Sequence, residues 1–125
     1  MKDFKKYYTI PATPEEVYLA LTNPLSLRRW TGEDAVMSEV PGSRFSLWDG
    51  SITGENISFE YAKEFVQHWD MGDQEVPSVV TIRLHEHKKG TSLEIKHTNI
   101  PDELYNEYAE GWDIYYVDGL LEFFE

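Results

Sequence analysis

The sequence predicts an α+β fold in which a curved antiparallel sheet wraps around a long C-terminal helix, with two short helices after the first strand. Three observations carry this expectation. Residues 101–125, PDELYNEYAEGWDIYYVDGLLEFFE, have the apolar spacing of one amphipathic helix. Residues 35–98 break into short alternating segments separated by turn residues, as in an antiparallel meander. The two helical segments that precede the meander are too small to cover such a sheet, so the last helix must fill its concave face.

In chain order, Asp3–Ile10 interleaves aromatic and β-branched residues with lysines, as in a half-exposed strand whose lysines discourage edge pairing. In PATPEEVYLALTNP, Thr13 is placed to cap a helix, Pro14 takes its first position and Glu16 completes a capping box. Val17, Ala20 and Leu21 make its apolar face. Asn23 and Pro24 end that helix and launch a second, LSLRRW, which closes near Trp30 and Gly32.

Strands are predicted over residues 35–38, 43–48, 51–61, 63–69, 78–87 and 91–98, with Pro41-Gly42, Asp49-Gly50 and Lys89-Gly90 as turns. In the last two strands Val80, Ile82 and Leu84 share one face, and Leu93, Ile95 and His97 share another, opposite polar partners.

Pro101 opens the final helix, with Asn99 or Ile100 as its cap and Asp102 and Glu103 complementing the helix dipole. An uninterrupted α-helix gathers Tyr105, Tyr108, Ala109, Tyr115, Tyr116, Gly119, Leu120 and Phe123 on the side of Trp112. A second apolar stripe, Ile114, Val117, Leu121 and Phe124, runs along the other side. Either the first strand and neighbouring loops cover it, or it is an interface, with a second copy in a homodimer as one partner.

The 125 residues suit a single domain spanning 1–125. No apolar run is long enough to span a bilayer, and MKDFKKYY lacks the apolar core of a signal peptide, so no membrane association and a cytoplasmic location are expected. The chain has no cysteine, which excludes disulfides and thiolate chemistry. A formal net charge of -12 argues against nucleic acid as a partner. No Lys or Arg occurs after Lys96, so the last helix presents an acidic surface, either simply solvated or a dock for a basic partner.

The stretches TPEEVYLALTNPLSLRRW, GSRFSLWDGSITGENISFEY, KEFVQHW and TSLEIKHTNIP, running into EGWDIYYVDGLLEFFE, together resemble the START-like (SRPBCC) superfamily with its helix-grip, Bet v-like fold. The branch they resemble is that of the C-terminal domain of the activator of heat-shock protein 90 ATPase. Gly111, Trp112, Tyr115, Tyr116 and Leu120 are the most diagnostic residues, and the acidic loop DMGDQEVP departs from the family pattern. The resemblance implies a cavity between sheet and helix that, in some members, holds apolar small molecules. Given that fold, strand parity and helix phase point Trp30, Phe45, Leu47, Gln67, Trp69, His97, Tyr108, Trp112 and Tyr116 inward as ligand-binding candidates, His97 and Gln67 being the polar anchors. The alternative is that these residues simply fill the core, with His97 a satisfied core histidine.

No catalytic signature is present: there is no nucleophile elbow, phosphate-cradling glycine loop or HExxH pair. His85 and His87 provide too few ligands for zinc, and Asp70, Asp73 and Glu75 do not have the spacing of a calcium loop, so neither metal nor cofactor is expected. The leading expectation is therefore a non-enzymatic domain binding an apolar or aromatic small molecule. The resemblance also implies an interaction module or chaperone ATPase modulator, ranked second because the activator carries a further N-terminal domain; a cyclase- or hydrolase-like enzyme ranks third.

Overall fold

In the computed structural model, which describes residues 1–125, strand β1 (Lys2–Ile10) is followed by helices α1 (Pro14–Thr22) and α2 (Pro24–Thr31). Strands β2 (Arg44–Leu47), β3 (Ile52–Glu60), β4 (Glu64–Trp69), β5 (Ser78–His87) and β6 (Gly90–Ile100) come next. They form one six-stranded antiparallel sheet in the order β1-β6-β5-β4-β3-β2, so the first strand closes onto the last. The helix-grip architecture expected from the sequence is present: the sheet's inner residues, among them Phe45, Phe65, Val80, Ile82, Leu93 and Ile95, pack in one core with Trp112, Tyr116 and Leu120 of the C-terminal helix.

Local chemistry sets the two short helices. The Thr13 hydroxyl accepts from Glu16 N at 3.2 Å and the Glu16 carboxylate accepts from Thr13 N at 3.0 Å, a complete capping box. Asn23 both ends α1 and caps α2, its Oδ1 accepting from Leu25 N and Ser26 N at 3.0 and 3.1 Å. Val17, Ala20 and Leu21 are buried, as their spacing requires.

Residues 35–38 do not form the predicted strand. Only Val36 bridges to Ser46, because side chains take the hydrogen bonds a ladder would use: Asp34 Oδ1 accepts from Ala35 N, and Asn56 Nδ2 donates to Ser38 O.

The C-terminal helix is continuous but not uniform. A 3₁₀ turn (Asp102–Leu104) leads into α3 (Tyr105–Gly111), then a π-helical segment (Trp112–Val117), then α4 (Asp118–Phe123). The predicted cap at Asn99 or Ile100 is not used; Asn99 has a positive φ of 59° and its side chain donates back to Pro77 O. In the π segment Asp118 N–H bonds to Asp113 O, five residues back. A single widened turn of this kind accommodates one extra residue, so later side chains are displaced by one position relative to a regular α-helix.

That displacement corrects both predicted faces. Tyr115 and Phe123, expected inside, are 67% and 37% exposed. Val117, expected in the outer stripe, is in the core, and Leu121 and Phe124 pack against it partly buried. Of the proposed interface residues only Ile114 is exposed. The protein thus covers most of the stripe itself, with α2 packed on α4 and β1 tied to Asp113. No helix is long and apolar enough to cross a membrane.

Gly54 in β3 marks the tightest approach in the sheet: an added Cβ would clash with the His68 carbonyl oxygen and stand 2.7 Å from the Phe45 ring. Gly54→Ala is expected to lower stability by about 2 kcal/mol or more, read as a lower urea midpoint at unchanged slope.

Candidate functional site

A chain of buried hydrogen bonds joins the sheet to the helix. Trp112 Nε1 donates to His97 Nδ1 at 3.1 Å, and His97 Nε2 lies 2.8 Å from Ser78 Oγ, which donates to Thr98 O at 3.1 Å. An indole can only donate, so Nδ1 is the acceptor, and the neutral ring carries its proton on Nε2 toward Ser78. The His97 ring also meets Trp112 edge to face, with centroids 5.8 Å apart. Burial holds this imidazole neutral, its pKa pushed down to about 3 against a weaker opposing pull from Asp3.

A second chain lies along β3 and β4. Trp69 Nε1 donates to Gln67 Oε1 at 3.0 Å, and Gln67 Nε2 donates to Asn56 Oδ1 at 2.9 Å. The Asn56 amide nitrogen in turn reaches Ser38 O and Ser43 Oγ. His97 and Gln67 are therefore buried residues whose polar groups already have partners within the protein.

The cavity itself lies nearer the surface than strand parity implies. A cleft of about 320 Å³ opens between the β2–β3 turn and the C-terminal helix. Trp48, Ser51 and Ile52 form one wall, Trp69 and Glu33 stand beside it, and Glu107, Tyr108, Gly111, Trp112, Tyr115 and Tyr116 form the helical wall. Of the nine predicted ligand-binding residues, Trp69, Tyr108, Trp112 and Tyr116 line this cleft. Trp30, Phe45, Leu47, Gln67 and His97 lie outside its lining, as packing behind it.

The aromatic rings are mutually braced. Trp69 stacks on Trp112 at 4.8 Å, Trp112 meets Tyr116 at 4.6 Å, and Trp30 meets Tyr116 edge-on at 5.3 Å. Trp48 completes the group, 5.7 Å from Trp30 and 6.0 Å from Tyr116. Its backbone is unusual: Trp48 and Asp49 both have positive φ, 50° and 52°, a conformation costing a bulky residue about 1–3 kcal/mol. The turn is held by Asp49 N donating to Asp34 O at 2.9 Å. Period-two alternation places Trp48 on the wet face opposite Leu47, whereas the left-handed turn swings it over the helix. Sequence reasoning missed Trp48 for that reason, and no local signal besides the adjacent Asp49-Gly50 turn marks it.

Tyr116 is 3% exposed, lines the cleft and makes no hydrogen bond within the protein. No fully enclosed polar side-chain atom lacks a partner, so its hydroxyl retains contact with solvent, and the cleft is the space this side chain lines. Burial pushes its pKa up, keeping it a neutral donor and acceptor. Burial, with Glu107 adding a smaller effect, likewise raises Tyr108.

The π segment that presents Trp112 and Tyr116 is anchored by Asp113. Its carboxylate accepts from Tyr8 Oη at 2.6 Å and from Lys6 Nζ at 3.0 Å, and the Tyr8 hydrogen bond first, then Lys6, hold it below the usual carboxylate range. Elsewhere, Asp70 is bound by Arg44 and Thr53, and His85 contacts Glu94 at 2.9 Å. No three His, Asp or Glu side chains converge as a metal site would require.

The model of the family described as activator of Hsp90 ATPase homolog 1-like protein matches residues 11–125. The chain belongs to this family. A Dictyostelium discoideum activator of 90 kDa heat shock protein ATPase homolog is 32% identical over 114 residues, covering 89% of this chain and 30% of that protein. The human activator of 90 kDa heat shock protein ATPase homolog 1 is 26% identical, covering 93% and 35%. The chain thus spans about a third of the length of these curated relatives. Among solved structures, an HSP90 activator from Plasmodium falciparum superposes with a TM-score of 0.86 at 24% identity, covering 94% of this chain and 92% of that one. The Aha1 dimer from Colwellia psychrerythraea gives 0.82 at 18%, with the same coverage of 94% and 92%. At these identities the structural likenesses establish the fold.

The buried imidazole makes a pH prediction. The unfolded chain protonates His97 near its ordinary value of 6.5, while the native chain resists until about 3. Between these values the unfolded state binds more protons, so His97 contributes a loss of stability as pH falls through that window and no pH dependence above it. In His97→Gln, urea denaturation across the window is expected to show a slope shallower by up to about 1.4 kcal/mol per pH unit.

Proposed function

We propose that this domain is a non-enzymatic binding module that holds an apolar or aromatic small molecule in the cleft between the β2–β3 turn and the C-terminal helix. The observation that carries the reading is Tyr116, almost wholly buried yet with a hydroxyl that no protein group satisfies. A core tyrosine ordinarily finds a partner inside the protein. The side chain lines a space walled by aromatic rings and bordered by a strained turn, the combination of apolar surface and few polar groups typical of ligand sites.

Gly111 gives a direct test. It lines the cleft in helical conformation, and a Cβ added there meets only the Tyr115 ring, at 3.9 Å. Gly111→Ala is expected to stabilise the protein by about 0.5–1 kcal/mol through helix propensity. Gly111→Leu fills the cleft and is expected to abolish saturable fluorescence enhancement of the neutral probe N-phenylnaphthylamine while the fold is retained. Equal enhancement by wild type and Gly111→Leu would place the probe elsewhere and sink the assignment.

A second reading, modulation of a chaperone ATPase in the cytoplasm, is favoured by the family match over residues 11–125 and by the curated relatives named as activators. It is measured by ATP hydrolysis of the Hsp90 from the same source with increasing amounts of this chain. Stimulation that saturates supports it; an unchanged rate together with no detectable association counts against it.

A further inference from the structure

Resting on the ligand-cleft reading, we infer that the cleft selects an organic cation, a substituted ammonium carried on a small aromatic or alkyl frame. The lining includes the rings of Trp48, Trp69, Trp112, Tyr108, Tyr115 and Tyr116, and aromatic rings attract cations within about 6 Å through the negative potential of their faces. The charged side chains lining the cleft are Glu33 and Glu107, and no Lys, Arg or His lines it. Both carboxylates are exposed, which places them where the cleft meets water.

Neither carboxylate is used by the protein. The ion pairs of the chain engage Asp34, Glu60, Glu64, Asp70, Glu94, Asp102 and Asp113, and leave Glu33 and Glu107 without a cationic partner. The Glu33 and Glu107 carboxylates make no side-chain hydrogen bond either. The neutral Tyr116 side chain, which lines the same space, adds a polar oxygen without adding positive charge.

An anionic ligand such as a fatty acid would lose its hydration without gaining a cationic partner, against a chain of net charge -12. A neutral hydrocarbon would gain the apolar walls but leave the two carboxylates unused. A cation gains the walls, the π faces and the carboxylates together. The volume of about 320 Å³ lies at the small end for ligand sites, enough for one substituted ring.

Three probes of one shape and different charge test this: para-trimethylammonio benzyl alcohol, its neutral isostere para-tert-butylbenzyl alcohol, and the anion para-tert-butylbenzoate. Each is titrated into the full chain, with the indole N–H resonances of Trp48, Trp69 and Trp112 as readout. The cation is expected to bind about tenfold more tightly than the neutral isostere, with the anion weaker than both. In the double variant Glu33→Gln, Glu107→Gln the cation-to-neutral ratio is expected to fall severalfold, and added salt to lower it in wild type. A neutral or anionic probe that matches or exceeds the cation would overturn the charge selectivity while leaving the ligand cleft standing. If none of the three shifts the cleft indoles, both the selectivity and the ligand-cleft reading fail.

Discussion

The contact between Trp112 and the sheet holds the two halves of this protein in register. Its indole lies flat against Trp69 of β4 and gives its one proton to His97 of β6. A helix resting on apolar side chains alone can slide or rotate at little cost, since dispersion and burial are not directional. A buried N–H aimed at one imidazole nitrogen cannot, because losing that partner leaves two polar atoms unsatisfied in a dry core. Ser78 and the Thr98 carbonyl extend the tie, so the helix is referenced to the end of the sheet from which it emerges.

With Trp112 fixed, the widened turn that follows decides what the helix shows to each side. It brings Val117 into the core, turns Tyr115 outward and leaves Tyr116 between the core and the cleft. Gly119 then lets the ring of Trp30 approach the helix closely, where an added Cβ would stand 3.1 Å from it. The left-handed Trp48 closes the opposite wall. The cleft is thus a product of two backbone irregularities facing each other, a π segment and a strained turn, which are the features that cost stability and persist where structure or function requires them.

Much of the fold was legible because it rests on local rules. The capping box at Thr13 and Glu16, the double role of Asn23 and the alternation of Val80, Ile82 and Leu84 each express contacts within a few residues or one strand's period. The inward aim of His97 was legible for the same reason. Its role was not: parity places the ring inside without saying that Ser78 and Trp112 occupy both nitrogens. Likewise Gln67 was correctly placed inside, but its amide belongs to Trp69 and Asn56.

By itself the sequence determined the element order, the antiparallel meander and the long aromatic helix. Those follow from periodicities of two and 3.6 residues, which any chain segment carries in its own side chains. The tertiary structure alone decided where the helix changes pitch and where the strand's alternation breaks. Asp113 is held by Lys6 and Tyr8, residues 107 and 105 positions away in the chain, and the turn at Trp48 and Asp49 is held by Asp34. Neither partner is visible in the local pattern, and a shift of one residue in either place changes which side chains line the cleft.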